Sequence, residues 1–149
     1  MKGFDKMKNL EIVKIKMEMI RELPGKIISS PKDTYELIKE YLEYADREYC
    51  LVISLNTKNR VHNISIVSIG SINSSIVHPR EVFKTAILSN ASSIIIAHNH
   101  PSGDPTPSKE DIAITERIEE VGNILGIELL DHLVVGDNKY LSLREKNLL

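Results

Sequence analysis

The stretch Ser93-Ile-Ile-Ile-Ala-His98-Asn-His100-Pro-Ser-Gly-Asp-Pro-Thr-Pro-Ser108-Lys-Glu-Asp111 holds a strand, a stiff loop and a helix start, and the rest of the chain reads as scaffold for it. Ser93 to Ala97 is a short apolar run rich in β-branched residues, the composition of a strand buried on both faces. His98 and His100 stand at its end. Residues two apart on an extended chain project to the same side, so the two imidazoles converge while Asn99 points away. The seven residues that follow contain three prolines and a glycine, which makes them an exposed connection and not more strand. Ser108 with Asp111 three residues on is the capping-box pattern of a helix start. Capping alone accounts for both residues. A capping Ser uses an oxygen lone pair and keeps its O–H for another acceptor, whereas Asp111 is expected to serve either as cap or as ligand. Two His and one Asp supply three protein ligands and leave a fourth tetrahedral position for water, an arrangement catalytic in type, since structural zinc sites are normally closed, usually by Cys. The competing reading is a polar, metal-free strand-to-helix turn.

Working outward, 149 residues suit one domain with a single substantial core. A formal net charge of −2 gives no general pull toward nucleic acid. Charge is uneven: residues 104 to 131 carry eight acidic side chains against Lys109 and Arg117, and residues 1 to 30 carry seven basic against four acidic, both read as solvated faces. The one cysteine, Cys50, permits no disulfide within the chain and reads as a buried, inert thiol, which fits a reducing cytoplasm. No secretory h-region or long apolar run stands in the sequence, so neither secretion nor a membrane span is expected. A zinc nucleobase deaminase is excluded, because it needs H-x-E with P-C-x-x-C and neither occurs.

In chain order, the alternation of Val13, Ile15, Met17 and Met19 with Lys14, Lys16 and Glu18 predicts a half-buried strand from Glu11, ended by Pro24-Gly25. Ser30 with Pro31 predicts a helix to about Asp46, its apolar face formed by Tyr35, Leu37, Ile38, Tyr41, Leu42 and Ala45. Tyr49 to Leu55 and Val61 to Ile69 read as a hairpin, with His62 a surface or edge residue. A Ser/Asn-rich loop to Ser75, a helix from Pro79 to Ser89, the central strand and a helix from Ser108 to Leu125 follow. Two closing strands, Ile127 to Val135 and Lys139 to Leu143, flank a Gly136-Asp-Asn turn. Helices before and after a central sheet imply a layered α/β domain with mixed strand order.

The spacing H-x-H, seven residues, Ser, two residues, Asp resembles the JAMM signature of the JAB/MPN metallopeptidase domain. The wording His98-Asn-His-Pro-Ser-Gly, with His78-Pro-Arg-Glu81 before it and Asp131-His132-Leu133 after it, is most similar to the RadC-like branch. Asn99 stands where eukaryotic members usually carry Ser or Thr, and Asn resembles the RadC-like form. The resemblance runs from about Ser30 to the C-terminus, making 1–29 an N-terminal extension with one strand and 30–149 the domain. It implies a three-layer αβα sandwich with a mixed central sheet, of the JAB/MPN, cytidine-deaminase-like type. It also implies Zn2+ on His98, His100 and Asp111, a peptide or isopeptide substrate, and hydrolysis by a metal-activated water.

A zinc-bound water needs a proton acceptor outside the coordination sphere. Glu48 falls where the JAMM catalytic Glu would in family order, after the first helix and at a strand start. Glu81 is the other candidate, although helix-dipole complementation accounts for it. Ser108 is expected to donate to the developing oxyanion. Asp131 and His132 are either a pair orienting a ligand or polar residues opening a strand, and His78-Pro79-Arg80 is either a substrate-facing loop or a helix start. A different class of function also follows from the resemblance: a RadC-like accessory protein of DNA repair or mobile elements, binding with little turnover. Full-length relatives carry an N-terminal helix-hairpin-helix part, and the short strand-bearing extension here argues against carrying DNA binding over.

Overall fold

The structure, a computed structural model, describes residues 12–22, 24–70 and 77–149. Its elements are α1 (Pro31–Leu42), β1 (Tyr49–Leu55), β2 (Val61–Ile69), α2 (Pro79–Leu88), β3 (Ser93–Asn99), α3 (Lys109–Leu125), β4 (Glu128–Gly136) and β5 (Lys139–Ser142). The strands form one sheet in the order β2-β1-β3-β4-β5, in which β3 and β4 run parallel and every other pair antiparallel. A parallel pair needs a crossover, and α3 supplies it. β3, the run of β-branched residues, lies between two neighbours and every residue in it is buried.

Alternation along the strands divides the core into two layers. Cys50, Val52, Ile94, Ile96 and Leu129 pack with Val82, Phe83, Ile114 and Ile118 of α2 and α3. Leu51, Ile53, Ile95, Ala97, Leu133 and Val135 pack on the opposite face with Ile38 and Leu42 of α1. The result is the expected αβα sandwich with a mixed sheet. The β3–β4 register shifts between Ile94 and Ile95, so Ile94 pairs with Leu129 and Ile95 with Asp131. An extra residue in one strand re-aims those beyond it. Leu129 and His132, three apart, consequently face the same side as His98.

α1 begins as its residues predict: Ser30 and Asp33 complete a capping box and Pro31 sits in the first turn. It stops at Leu42 instead of Asp46, and Glu43 to Glu48 turn the chain into β1. The strand expected over Glu11 to Met19 does not form in residues 12–22, which run exposed and unpaired; Glu11 itself lies outside the described residues. Period-two alternation makes a strand only where a neighbour supplies the ladder. The first such pairing is the bridge of Ile27 with Arg60. Most of the Ser/Asn-rich loop, 71–76, also lies outside the described residues. No helix among the described residues is long and apolar enough to cross a membrane.

Candidate metal centre

His98 is the last but one residue of β3 and His100 follows directly after the strand, so both rings leave the same face of the sheet. The loop after them returns against the end of β4. His100 N–H donates to Val135 O (2.9 Å) and Asp137 N–H to Gly103 O (3.0 Å). Gly136 permits that approach, since a Cβ there would stand 2.2 Å from Gly103 O. Asp104 and the prolines then bring the chain to Ser108, the N-cap of α3.

Asp111 both caps and faces the histidines. Its Oδ2 accepts from Ser108 N–H (2.8 Å) while lying 3.2 Å from His100 Nε2, and its Oδ1 lies 3.3 Å from His98 Nε2. The expectation that it would do only one job is corrected here. A carboxylate has about four lone-pair sites on two oxygens, so Oδ2 serves the backbone and His100 together while Oδ1 faces His98. His98 Nε2 lies 3.0 Å from His100 Nε2.

These separations are on the scale of a coordination shell. Ligand atoms about 2.0–2.1 Å from one tetrahedral ion stand about 3.3–3.4 Å from each other; here the two Nε2 atoms are 3.0 Å apart, and each has a different oxygen of Asp111 within reach, His100 having Oδ2 at 3.2 Å and His98 having Oδ1 at 3.3 Å. All of these donor atoms lie within 4.8 Å of one another. The protonation pattern agrees. His100 Nδ1 lies 2.8 Å from the carbonyl of Asp104, which only accepts, so Nδ1 carries a proton, and in the neutral ring the Nε2 lone pair faces the cluster. Burial alone would raise the Asp111 pKa, but its hydrogen bonds to His100 and His98 outweigh burial and hold it far below the usual carboxylate range. The hydrogen bond to Asp111 raises the His100 pKa against the opposing effect of desolvation, and the nearby Glu48 charge adds to the rise. Two imidazole nitrogens and a carboxylate are thus gathered where they could hold a metal ion.

The remaining sequence candidates separate. Glu48 immediately precedes β1, and its carboxylate acts on His100 as a neighbouring negative charge. Its backbone is held on both sides by Asn99, whose Oδ1 accepts from Tyr49 N–H (2.7 Å) and whose Nδ2 donates to Arg47 O (2.9 Å). Ser108 Oγ accepts from Asp111 N–H (3.1 Å), which leaves its hydrogen uncommitted to the cap. Glu81 lies exposed on α2 and pairs with Lys84 at 3.0 Å. His78 occupies the N-cap position of α2 with no side-chain capping bond, Pro79 starts that helix, and Arg80 is exposed. His62 is exposed and places Nδ1 3.1 Å from Ser89 O. Asp131 accepts from Ser142 Oγ (2.6 Å), His132 N–H (2.7 Å) and Arg144 N–H (3.2 Å), bonds that fasten the C-terminal turn to β4. His132 instead lies against His98, Nε2 to Nδ1 at 2.7 Å, and burial pushes its pKa well below the ordinary value. Cys50 pairs with His98 across β1 and β3; burial pushes its thiol up to about 12, so it is an inert core group.

Two candidates whose contacts lie beside the cluster were not assigned a role from the sequence: Asn99, and Thr115, whose buried Oγ1 stands 2.6 Å from His132 Nδ1. Thr115 carried a signal, because it stands one helical turn beyond Asp111 and therefore shares its face. Asn99 carried its polarity at the end of an apolar run and its resemblance to the RadC-like form, neither of which names its partners.

Comparison with known proteins agrees with this architecture. A family model of the RadC-like JAB domain matches residues 28–148. A UPF0758 protein of Desulfitobacterium hafniense is 57% identical over 123 residues, covering 83% of this chain and 54% of that protein. One from Moorella thermoacetica is also 57% identical over 123 residues, with the same shares covered. One from Methanosarcina mazei is 48% identical over 131 residues, 88% of this chain and 57% of that protein. The chain thus spans about half the length of these curated relatives. A mixed five-stranded sheet with a His-His-Asp cluster able to hold a metal ion defines the class as a JAB-type α/β domain. Within it, the chain belongs to the RadC-like JAB domain family.

Proposed function

We propose that this domain is a zinc-dependent hydrolase of peptide or isopeptide bonds, with His98, His100 and Asp111 holding the ion. The convergence of two Nε2 atoms and the two oxygens of one carboxylate, with nearest separations of 3.0–3.3 Å, carries the reading. Zinc bound to three protein ligands supplies a Lewis acid and lowers the pKa of water to about 7. Glu48, anchored beside the cluster through its neighbours' bonds to Asn99, accepts the proton of the attacking water and returns it to the leaving amine. Ser108 directs its hydroxyl hydrogen to the oxyanion that develops on the carbonyl, a contribution of about 2.7–4 kcal/mol for such a donor in hydrolases. A buried, hydrogen-bonded Asp111 keeps the ligand set fixed while these groups act. The substrate is a protein or peptide, because polarising a carbonyl and protonating an amine are what this set of groups can do together.

Elemental analysis of protein purified without chelators tests the metal, and a peptide and isopeptide library tests the reaction. The expected outcome is close to one zinc per chain, lost in His98→Ala, His100→Ala and Asp111→Ala. Glu48→Gln should keep the zinc and lose about 10²–10⁴-fold in turnover, with Glu81→Gln changing little. Full zinc occupancy in all three ligand variants, or no cleavage of any library member by zinc-loaded protein, overturns the proposal.

A further inference from the structure

A histidine can ligate through Nε2 only if that nitrogen carries no proton, so the position of one hydrogen on His98 decides whether the cluster binds a cation. The surroundings of His98 determine where that hydrogen goes. Thr115 Oγ1 lies 2.7 Å from the main-chain oxygen of Asp111 and 2.6 Å from His132 Nδ1. The carbonyl only accepts, so the single hydroxyl hydrogen points to it; otherwise two oxygens would face each other across 2.7 Å with nothing between them. Thr115 must then accept from His132, which places that ring's proton on Nδ1. A neutral imidazole protonated at Nδ1 has its lone pair on Nε2. His132 Nε2 lies 2.7 Å from His98 Nδ1, so His98 donates there. In the neutral ring its Nε2 then carries the lone pair, facing His100 and Asp111.

We propose that His132, oriented by Thr115, is a positioning residue that fixes His98 as the Nδ1–H tautomer and thereby keeps His98 Nε2 open to a divalent cation. Both nitrogens of His132 are occupied by this chain of bonds, so it is not itself a ligand. All three side chains are buried, His98 and Thr115 at 0% exposure and His132 at 1%, so bulk water does not offer the rings alternative partners. The chain joins β3, β4 and α3 and ends on the carbonyl of Asp111, tying two of the three ligands into one hydrogen-bonded unit. The register shift in β4 is what brings His132 onto this face.

The inference rests on the metal reading above, and its test separates the two. In metal-free protein, long-range ¹H–¹⁵N correlation spectra of the imidazoles report which nitrogen of His98 is protonated, and competition with a chromophoric chelator measures zinc affinity. Wild type should show His98 protonated on Nδ1. His132→Leu should weaken zinc binding about 10–100-fold, the usual cost of losing such a partner, while His132→Gln, which keeps an acceptor for His98, should recover most of that loss. Thr115→Val, nearly isosteric and therefore informative even if His132→Leu fails to fold, should release the tautomer and weaken zinc although it touches no ligand nitrogen. A proton on His98 Nε2 in wild type, or wild-type zinc affinity in folded His132→Leu and Thr115→Val, overturns the proposal. Absence of zinc binding in wild type with His98 still protonated on Nδ1 would support the hydrogen-bond chain and overturn the metal reading alone.

Discussion

Asn99 stands between the two proposed histidine ligands and points to the opposite face of the strand. Its amide offers an acceptor and a donor at once, and these hold Tyr49 N–H and Arg47 C=O, the neighbours of Glu48 on either side. Asn99→Ala leaves both backbone groups without that partner, at a cost of about 1–3 kcal/mol for an unsatisfied buried group. Urea unfolding should register the loss, and hydrogen exchange at the Tyr49 amide should accelerate. Zinc binding should persist, because no ligand is removed; unchanged exchange at Tyr49 would show that Asn99 does not hold the Glu48 segment. At this scale the sequence was readable where partners are close along the chain. His98, His100 and Asp111 lie within fourteen residues of one another, and their spacing alone brings them together. Asn99 bonds across fifty residues to Tyr49, and His132 across thirty-four to His98, separations that local periodicity does not encode. His132 was recognisable as a candidate only through its resemblance to a family word.

Among elements, the capping patterns of α1 and α3 and the β-branched runs of β1, β2 and β3 were legible, because each of those signals acts within its own segment. What failed depended on neighbours. The alternation before Pro24 finds no ladder in residues 12–22, and the register shift in β4 answers to pairing with β3, not to composition. The loop carrying His100 likewise depends on a contact invisible in its own residues, the backbone approach of Gly136 to Gly103 O. Gly136→Ala would place a Cβ 2.2 Å from that oxygen, so the backbone of the loop must move. Overpacking of this kind costs about 1–3 kcal/mol, and here it should also weaken zinc binding, since the displaced segment joins His100 to Asp111. Gly126 is the control. It ends α3 with φ of 71°, and a Cβ added to it would meet nothing within 4 Å, so Gly126→Ala should cost about 1 kcal/mol through backbone conformation and leave zinc affinity alone. Thermal melts paired with chelator competition distinguish the two, and equal zinc affinity in both variants would show that the Gly136 contact does not position the loop.

Across the whole molecule, the proposed ligands come from two elements on either side of a Pro/Gly-rich loop: the end of β3 and the start of α3. In the unfolded chain they are not held at 3.0–3.3 Å from each other, so an ion that needs this arrangement binds the native state far more strongly and must stabilise it. At free zinc one hundred times the dissociation constant, the gain is about 2.7 kcal/mol. For a domain of this size each kcal/mol moves Tm by about 2–4 °C, which predicts a rise of about 5–10 °C on adding zinc to metal-free protein and its reversal by a chelator. Removing a ligand should abolish most of the rise. His132→Leu should shift the whole dependence to higher zinc concentration, because it lowers affinity and leaves the ligands in place. Asn99→Ala should lower Tm with and without zinc by the same amount, since it acts on the scaffold. Calorimetric scans across a zinc titration give all of these curves, and a Tm that does not respond to zinc in the wild-type protein would remove the coupling between ion and fold.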